Sequence, residues 1–193
     1  MAEYVLFTDS TTDLPVELVQ EMQVEVMPLV FTLGDKHYRN YPDNRELSPK
    51  EFYDRLRAGE VSTTSQINQA DFLDTFTPVL EQGKDILYLA FSSGLSGTFN
   101  SARLAAEELR EQFPERTIEV IDTLQASMGE GLAVYYAACL KNEGKSLREV
   151  ADWFVANRQS ICAWFTVDDL MFLKRGGRVS GAAAVAGTLL GIK

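Results

Sequence analysis

The chain has 193 residues, 46% hydrophobic and 24% charged, enough for one sizeable core, or one domain and part of another, and unlike a disordered or fibrous chain. Lys and Arg number 18 against 28 Asp and Glu, a formal net charge of -10. A polyphosphate backbone would be repelled, so nucleic acid is not the expected partner.

Taken in order, short runs rich in β-branched and aromatic residues predict strands at Tyr4 to Thr8, Val24 to Phe31, Asp85 to Phe91, Thr117 to Asp122 and Ile161 to Val167. Helices start at recognisable signals between them. Ser48, Pro49 and Glu51 form a capping box with proline at the first helical position, and Asn68 with Asp71 a weaker version. A buried helix from Glu130 is expected to end at Gly144, and Ser146 with Glu149 opens the next. Asp168 and Asp169 read as caps of the turn before "DLMFLKRGG". The basic spot "KRGGR", Lys174 to Arg178, reads as a solvated turn. The apolar end, "AAAVAGTLLGIK", predicts a helix that needs cover.

This alternation predicts an α/β protein: a layered α/β/α domain with a mainly parallel sheet over residues 1–157, followed by the start of a second α/β domain over 158–193. Cys139 and Cys162 lack CxxC spacing and are expected as buried, reduced thiols. The opening "MAEYVLFTDS" lacks the pattern of a secretory signal, and no apolar run approaches the roughly 18 residues of a membrane span. A cytoplasmic protein without stable membrane insertion is expected.

Three presumed strand ends collect hydroxyls: "TDSTTDLP" from Thr8, "STTSQ" from Ser62 and "SSGLSGT" from Ser92. A helix N-terminus has unpaired amides and about half a positive charge, so such a junction suits a small anion. Gly94 and Gly97 would permit positive φ and close approach of the backbone. The same residues also cap helices and make turns for structural reasons alone, and that reading stays open. Gly97 is followed by Thr98 and Phe99 rather than Lys-Ser/Thr, which disfavours a nucleotide loop. "GLSGT" is not a nucleophile elbow, and the sole histidine, His37, reads as a surface-loop side chain. No cluster has metal-ligand spacing.

Four motifs in order, "TDSTTDLP", "TTSQ", "SSGLSGTFNSA" and the 27-residue "VDDLMFLKRGGRVSGAAAVAGTLLGIK" from Val167, resemble the DegV family of bacterial fatty-acid-binding proteins. The resemblance implies a two-domain α/β protein that holds a long-chain fatty acid, carboxylate in the hydroxyl loops and tail in an apolar tunnel. It implies no catalysis by the chain alone, no cofactor and no metal, and presentation of the lipid to a fatty-acid kinase subunit that forms an acyl phosphate for phospholipid synthesis. By motif position Thr63, Thr64 and Ser93 would meet the head group, with Gly94 and Ser96 nearby and Asp9, Ser10 and Thr11 lining the same face. Ile67 replaces the family's usual proline, and the family pattern continues beyond Lys193 through most of a second domain. The rival readings are an enzyme acting on a small phosphorylated or carboxylated metabolite in the same loops, and a structural piece with ordinary caps.

Overall fold

A computed structural model of the chain describes residues 3–167 and 169–192. It divides into two units, Met1–Cys162 and Ala163–Lys193.

The first unit is built on four parallel strands: β1 (Tyr4–Asp9), β2 (Val24–Met27), β6 (Asp85–Ala90) and β7 (Ile118–Asp122), in the order β2-β1-β6-β7. β6 is buried at all six positions, as a central parallel strand covered on both faces must be. Its alternation divides the core. Leu87 and Leu89 join a cluster with helices α1 (Val16–Met22), α5 (Ser127–Asn142) and α6 (Leu147–Asn157), through Val19, Ala133, Ala137, Val150 and Phe154. Ile86, Tyr88 and Ala90 face α3 (Gln69–Glu81) and α4 (Thr98–Gln112), through Phe72, Phe76, Ala102 and Leu109. The expected α/β/α layering follows from this two-sided burial.

A second sheet was not anticipated. The run Val24 to Phe31, expected as one strand, breaks at Pro28, which has no amide to give a ladder. Its second half becomes β3 (Val30–Leu33), which pairs antiparallel with β4 (Lys36–Arg39) and with β5 (Ser62–Ser65) in the order β4-β3-β5. "STTS", expected as a loop, is therefore a strand. His37 lies on β4, exposed, with Nδ1 3.0 Å from Thr32 Oγ1, rather than in a loop.

The helix caps differ from expectation in strength. Asn68 and Asp71 form the reciprocal box before α3, as do Ser146 and Glu149 before α6. Before α2 (Pro49–Arg57) the bonding runs one way, from Glu51 N–H to Ser48 Oγ (3.2 Å). α5 ends in a Schellman motif: Gly144 N–H donates to Lys141 O (2.9 Å) and Lys145 N–H to Leu140 O (3.1 Å), with Gly144 at φ +85°.

In the second unit, α7 (Leu170–Arg175) is capped by Asp169, whose Oδ1 accepts from Met171 N–H at 2.8 Å. Asp168 lies outside the described residues. α8 (Gly181–Leu189) carries the apolar end of the sequence, with Leu189 82% exposed. The expected strand Ile161 to Val167 is absent: among the described residues that segment has no neighbouring strand to complete a ladder, and Trp164 is 98% exposed. Cys162, expected buried, is exposed beside it, and Cys139 is only half-buried on the flank of α5. Among the described residues no helix is long and apolar enough to cross a membrane.

Candidate functional site

Within the first unit a cavity of about 500 Å³ lies between the end of β1 and the small antiparallel sheet. Ser10, Thr11, Ser62 and Thr64 supply hydroxyls to it, and Leu29, Phe31, Phe52 and Phe91 supply apolar surface. That volume is within the usual range of small-molecule sites, roughly 300 to 1,000 Å³. A smaller cavity of about 270 Å³ is walled by Glu25, Asp71 and Asp74, three carboxylates against the guanidinium of Arg39, whereas the larger cavity, among the described residues, sets Arg39 against the lone carboxylate of Asp13.

The hydroxyl-lined wall is the 3-10 turn Ser10–Thr12, which Asp9 holds in place from below. Asp9 is fully buried and its carboxylate is saturated. Oδ1 accepts from Thr11 N–H (3.1 Å) and Oγ1 (2.6 Å), and Oδ2 from Tyr88 OH (2.8 Å) and Phe91 N–H (3.1 Å). Burial, then the adjacent Asp9 carboxylate, pushes the Tyr88 phenol well above its ordinary pKa. Ser10 Oγ accepts from Leu29 N–H (3.0 Å), pinning the turn to the segment that enters β3.

Across the cavity, alternation along β5 separates neighbours. Thr64, opposite Phe31 in the ladder, shares a face with Ser62, and both line the cavity. Thr63 projects from the opposite face. The expected pair Thr63 and Thr64 is thus divided by the strand's period of two.

The loop of Ser93, Gly94 and Ser96 contributes Phe91 to the cavity, while those three residues stand outside its lining. Ser93 N–H donates to Asp122 Oδ1 (3.2 Å), and Ser96 Oγ accepts from Thr98 N–H (3.2 Å) at the start of α4. Neither Gly94 nor Gly97 has positive φ, contrary to expectation. Gly97 is needed for space: a Cβ there would collide with Gln66 Oε1.

Two helix N-termini reach the cavity: that of α2, through Pro49, whose cap Ser48 accepts from Glu51 N–H, and that of α5, where Ala126 and Ser127 line the wall. Ala126 offers no side-chain cap, so the positive end of a 16-residue helix faces the cavity without an acceptor from that residue. Asp13 and Ser127 both hold left-handed backbone, φ 52° and 51°, and Ser127 Oγ donates to Asp13 Oδ2 at 2.6 Å. Two strained residues joined by a hydrogen bond at the rim mark a built feature.

A family model described as "Uncharacterised protein, DegV family" matches residues 4–193. The chain belongs to the DegV family. Among relatives, the DegV domain-containing protein CPE0026 of Clostridium perfringens is 46% identical over 193 residues, which is 100% of this chain and 66% of that protein. A DegV family protein of Thermus thermophilus, whose structure is described by its fatty acid binding, superposes with TM-score 0.82 at 39% identity, over 98% of this chain and 65% of that one. A stearic acid-binding protein of Eubacterium ventriosum matches with TM-score 0.79 at 26% identity, over 95% and 62%. This DegV-family chain spans about two thirds of the length of those relatives.

Several residues at the site were not foreseen. Phe31 and Phe52 meet edge-on with ring centroids 5.3 Å apart, and Asn40 Nδ2 donates to Ser10 O (3.4 Å). Glu130, in the first turn of α5, is fully buried against Thr11. Its one visible signal is an acid opening an otherwise apolar helix.

Proposed function

We propose that this chain binds a long-chain fatty acid and, within the whole protein, presents it to a fatty-acid kinase subunit without catalysing the transfer itself. The observation that carries the reading is the cavity wall, where Ser10, Ser62 and Thr64 stand against Leu29, Phe31 and Phe52. Burying a carboxylate costs several kcal/mol, and charge-assisted hydrogen bonds of about 1.5 to 3 kcal/mol each offset much of it. Hydroxyl donors, the end of α5 and the Arg39 side chain that also lines the cavity provide for this. Each methylene buried against the aromatic wall adds about 0.8 kcal/mol before ordering costs, so the tail supplies the affinity.

In this reading the ligand set expected from the motifs narrows to Ser10 and Thr64 with Ser62 added. Asp9 acts as the post beneath them, and Ser93, Gly94 and Ser96 shape the adjoining loop. The solved relatives described as fatty-acid-binding support it. The test is native mass spectrometry of the purified protein, followed by solvent extraction. A one-to-one adduct with the mass of a C16 to C18 acid is expected. An empty protein that also ignores added palmitate would overturn the reading and favour a small-metabolite site.

A further inference from the structure

Thr11 Oγ1 lies 2.6 Å from Asp9 Oδ1 and 2.6 Å from Glu130 Oε2. A hydroxyl carries one proton, and two contacts that short need two. The second proton therefore sits on a carboxyl group. Asp9 already accepts from Thr11 N–H, Tyr88 OH and Phe91 N–H as well as from Thr11 Oγ1, so its lone pairs are engaged. Glu130 has no comparable donor. Its other contact, Thr8 Oγ1 at 3.5 Å, belongs to a hydroxyl whose proton goes to Leu89 O at 3.0 Å.

The surroundings agree. From β1 and the residues after it, Glu130 faces Thr8, Asp9 and Asp13; from β6, Tyr88 lies behind Asp9. From α1, Glu21 bears on Tyr135 of α5. On α6, Glu149 turns back to Ser146, and Arg148 pairs with Glu119 and Asp152. Among the described residues no Lys or Arg pairs with Glu130. Burial, then Asp9, holds its carboxyl well above the ordinary glutamate range. α5 is packed directly on the turn: a Cβ on Gly131 would come within 2.8 Å of Thr12 O.

We infer that Glu130 is a positioning residue of the cavity: it stays protonated, donates through Thr11 Oγ1, commits Thr11's own proton to Asp9, and adds no negative charge to those that Asp9 and Asp13 already set at this wall. Thr11 then faces the cavity with its donor spent, and a bound carboxylate is served by Ser10, Thr64 and the end of α5. Ionisation of Glu130 would add a further anion behind the site, next to those of Asp9 and Asp13. The effect on uptake rests on the fatty-acid reading; the protonation of Glu130 does not.

Two measurements test this. The first titrates the Glu130 side-chain carboxyl by carbon NMR, assigned by its loss in Glu130→Gln. A midpoint well above the ordinary value of about 4.3 is expected, and a midpoint at that value overturns the inference. The second follows palmitate affinity from about pH 6 upward through that midpoint in wild type and Glu130→Gln. Wild-type affinity should fall on the order of tenfold as Glu130 ionises, while the Gln variant, which keeps a neutral donor, should bind like low-pH wild type at every pH. Matching profiles in the two proteins would overturn the inference. Failure of palmitate to bind either protein at any pH would sink the fatty-acid reading instead, and the carboxyl titration alone would then decide the role of Glu130.

Discussion

The α-carbon of Gly97 sits so close to Gln66 that a Cβ there would fall 2.8 Å from Gln66 Cδ. Gln66 is held in that position by donating from Nε2 to Ser101 Oγ (3.0 Å), which ties the exit of β5 to the first turns of α4. Gly97→Ala should expel the Gln66 side chain and destabilise the fold by about 1 kcal/mol. Urea unfolding checks the value. Adding Gln66→Ala should make the pair less than additive, because the second change removes what the methyl collides with.

Tyr88→Phe should cost about 1.5 to 3 kcal/mol with little change in packing. The ring stays between Phe72 and Phe76, at centroid distances of 5.1 and 6.1 Å, and only the 2.8 Å donor to Asp9 Oδ2 is lost. Denaturant unfolding should show a lower midpoint at an unchanged m-value. A loss below about 0.5 kcal/mol would mean that Asp9 does not depend on this donor.

The alternation of β5 makes neighbouring threonines unequal. Thr64→Val should weaken fatty-acid binding about tenfold by removing one donor at constant shape, whereas Thr63→Val, on the other face, should leave it within about twofold. Titration calorimetry with palmitate distinguishes them. Equal losses would place the head group elsewhere.

Tyr4 sets an alkaline limit. Burial, and next the Glu149 carboxylate, push its phenol from 10.0 up to about 12, so the folded protein holds this proton more tightly than the unfolded chain does. Its contribution is fully present below the unfolded value and is lost as pH rises from about 10 toward 12. Thermal unfolding of wild type should steepen with pH across that window. Tyr4→Phe should be flatter there, offset only by the lost 3.3 Å bond from Tyr4 OH to Lys145 O.

The parallel sheet was legible because β1, β6 and β7 are short apolar runs, and those with two covered faces show no polar interruption. Caps were legible because Ser48, Asn68 and Ser146 act locally. The antiparallel sheet was not: "KHYR" and "STTS" are largely exposed strands whose side chains carry no apolar alternation, so only pairing with β3 reveals them. Hydroxyl-rich positions were visible in the sequence, but their facing depends on register. The α5 end at the cavity gave no signal either, since Ala126 occupies the cap position where a Ser or Asp would have announced it.

The walls of the cavity come from distant parts of the chain: Ser10 near its start, Thr64 in the middle and Ser127 at the opening of α5. A ribosome delivers these in sequence, and the first two emerge well before the third. Until α5 has been released and has docked on the turn at Ser10–Thr12, Thr11 lacks Glu130, Asp13 lacks Ser127 and one side of the chamber is open to water. The pocket is thus a product of late assembly, unable to enclose any occupant until the chain has grown past Ser127 and through α5.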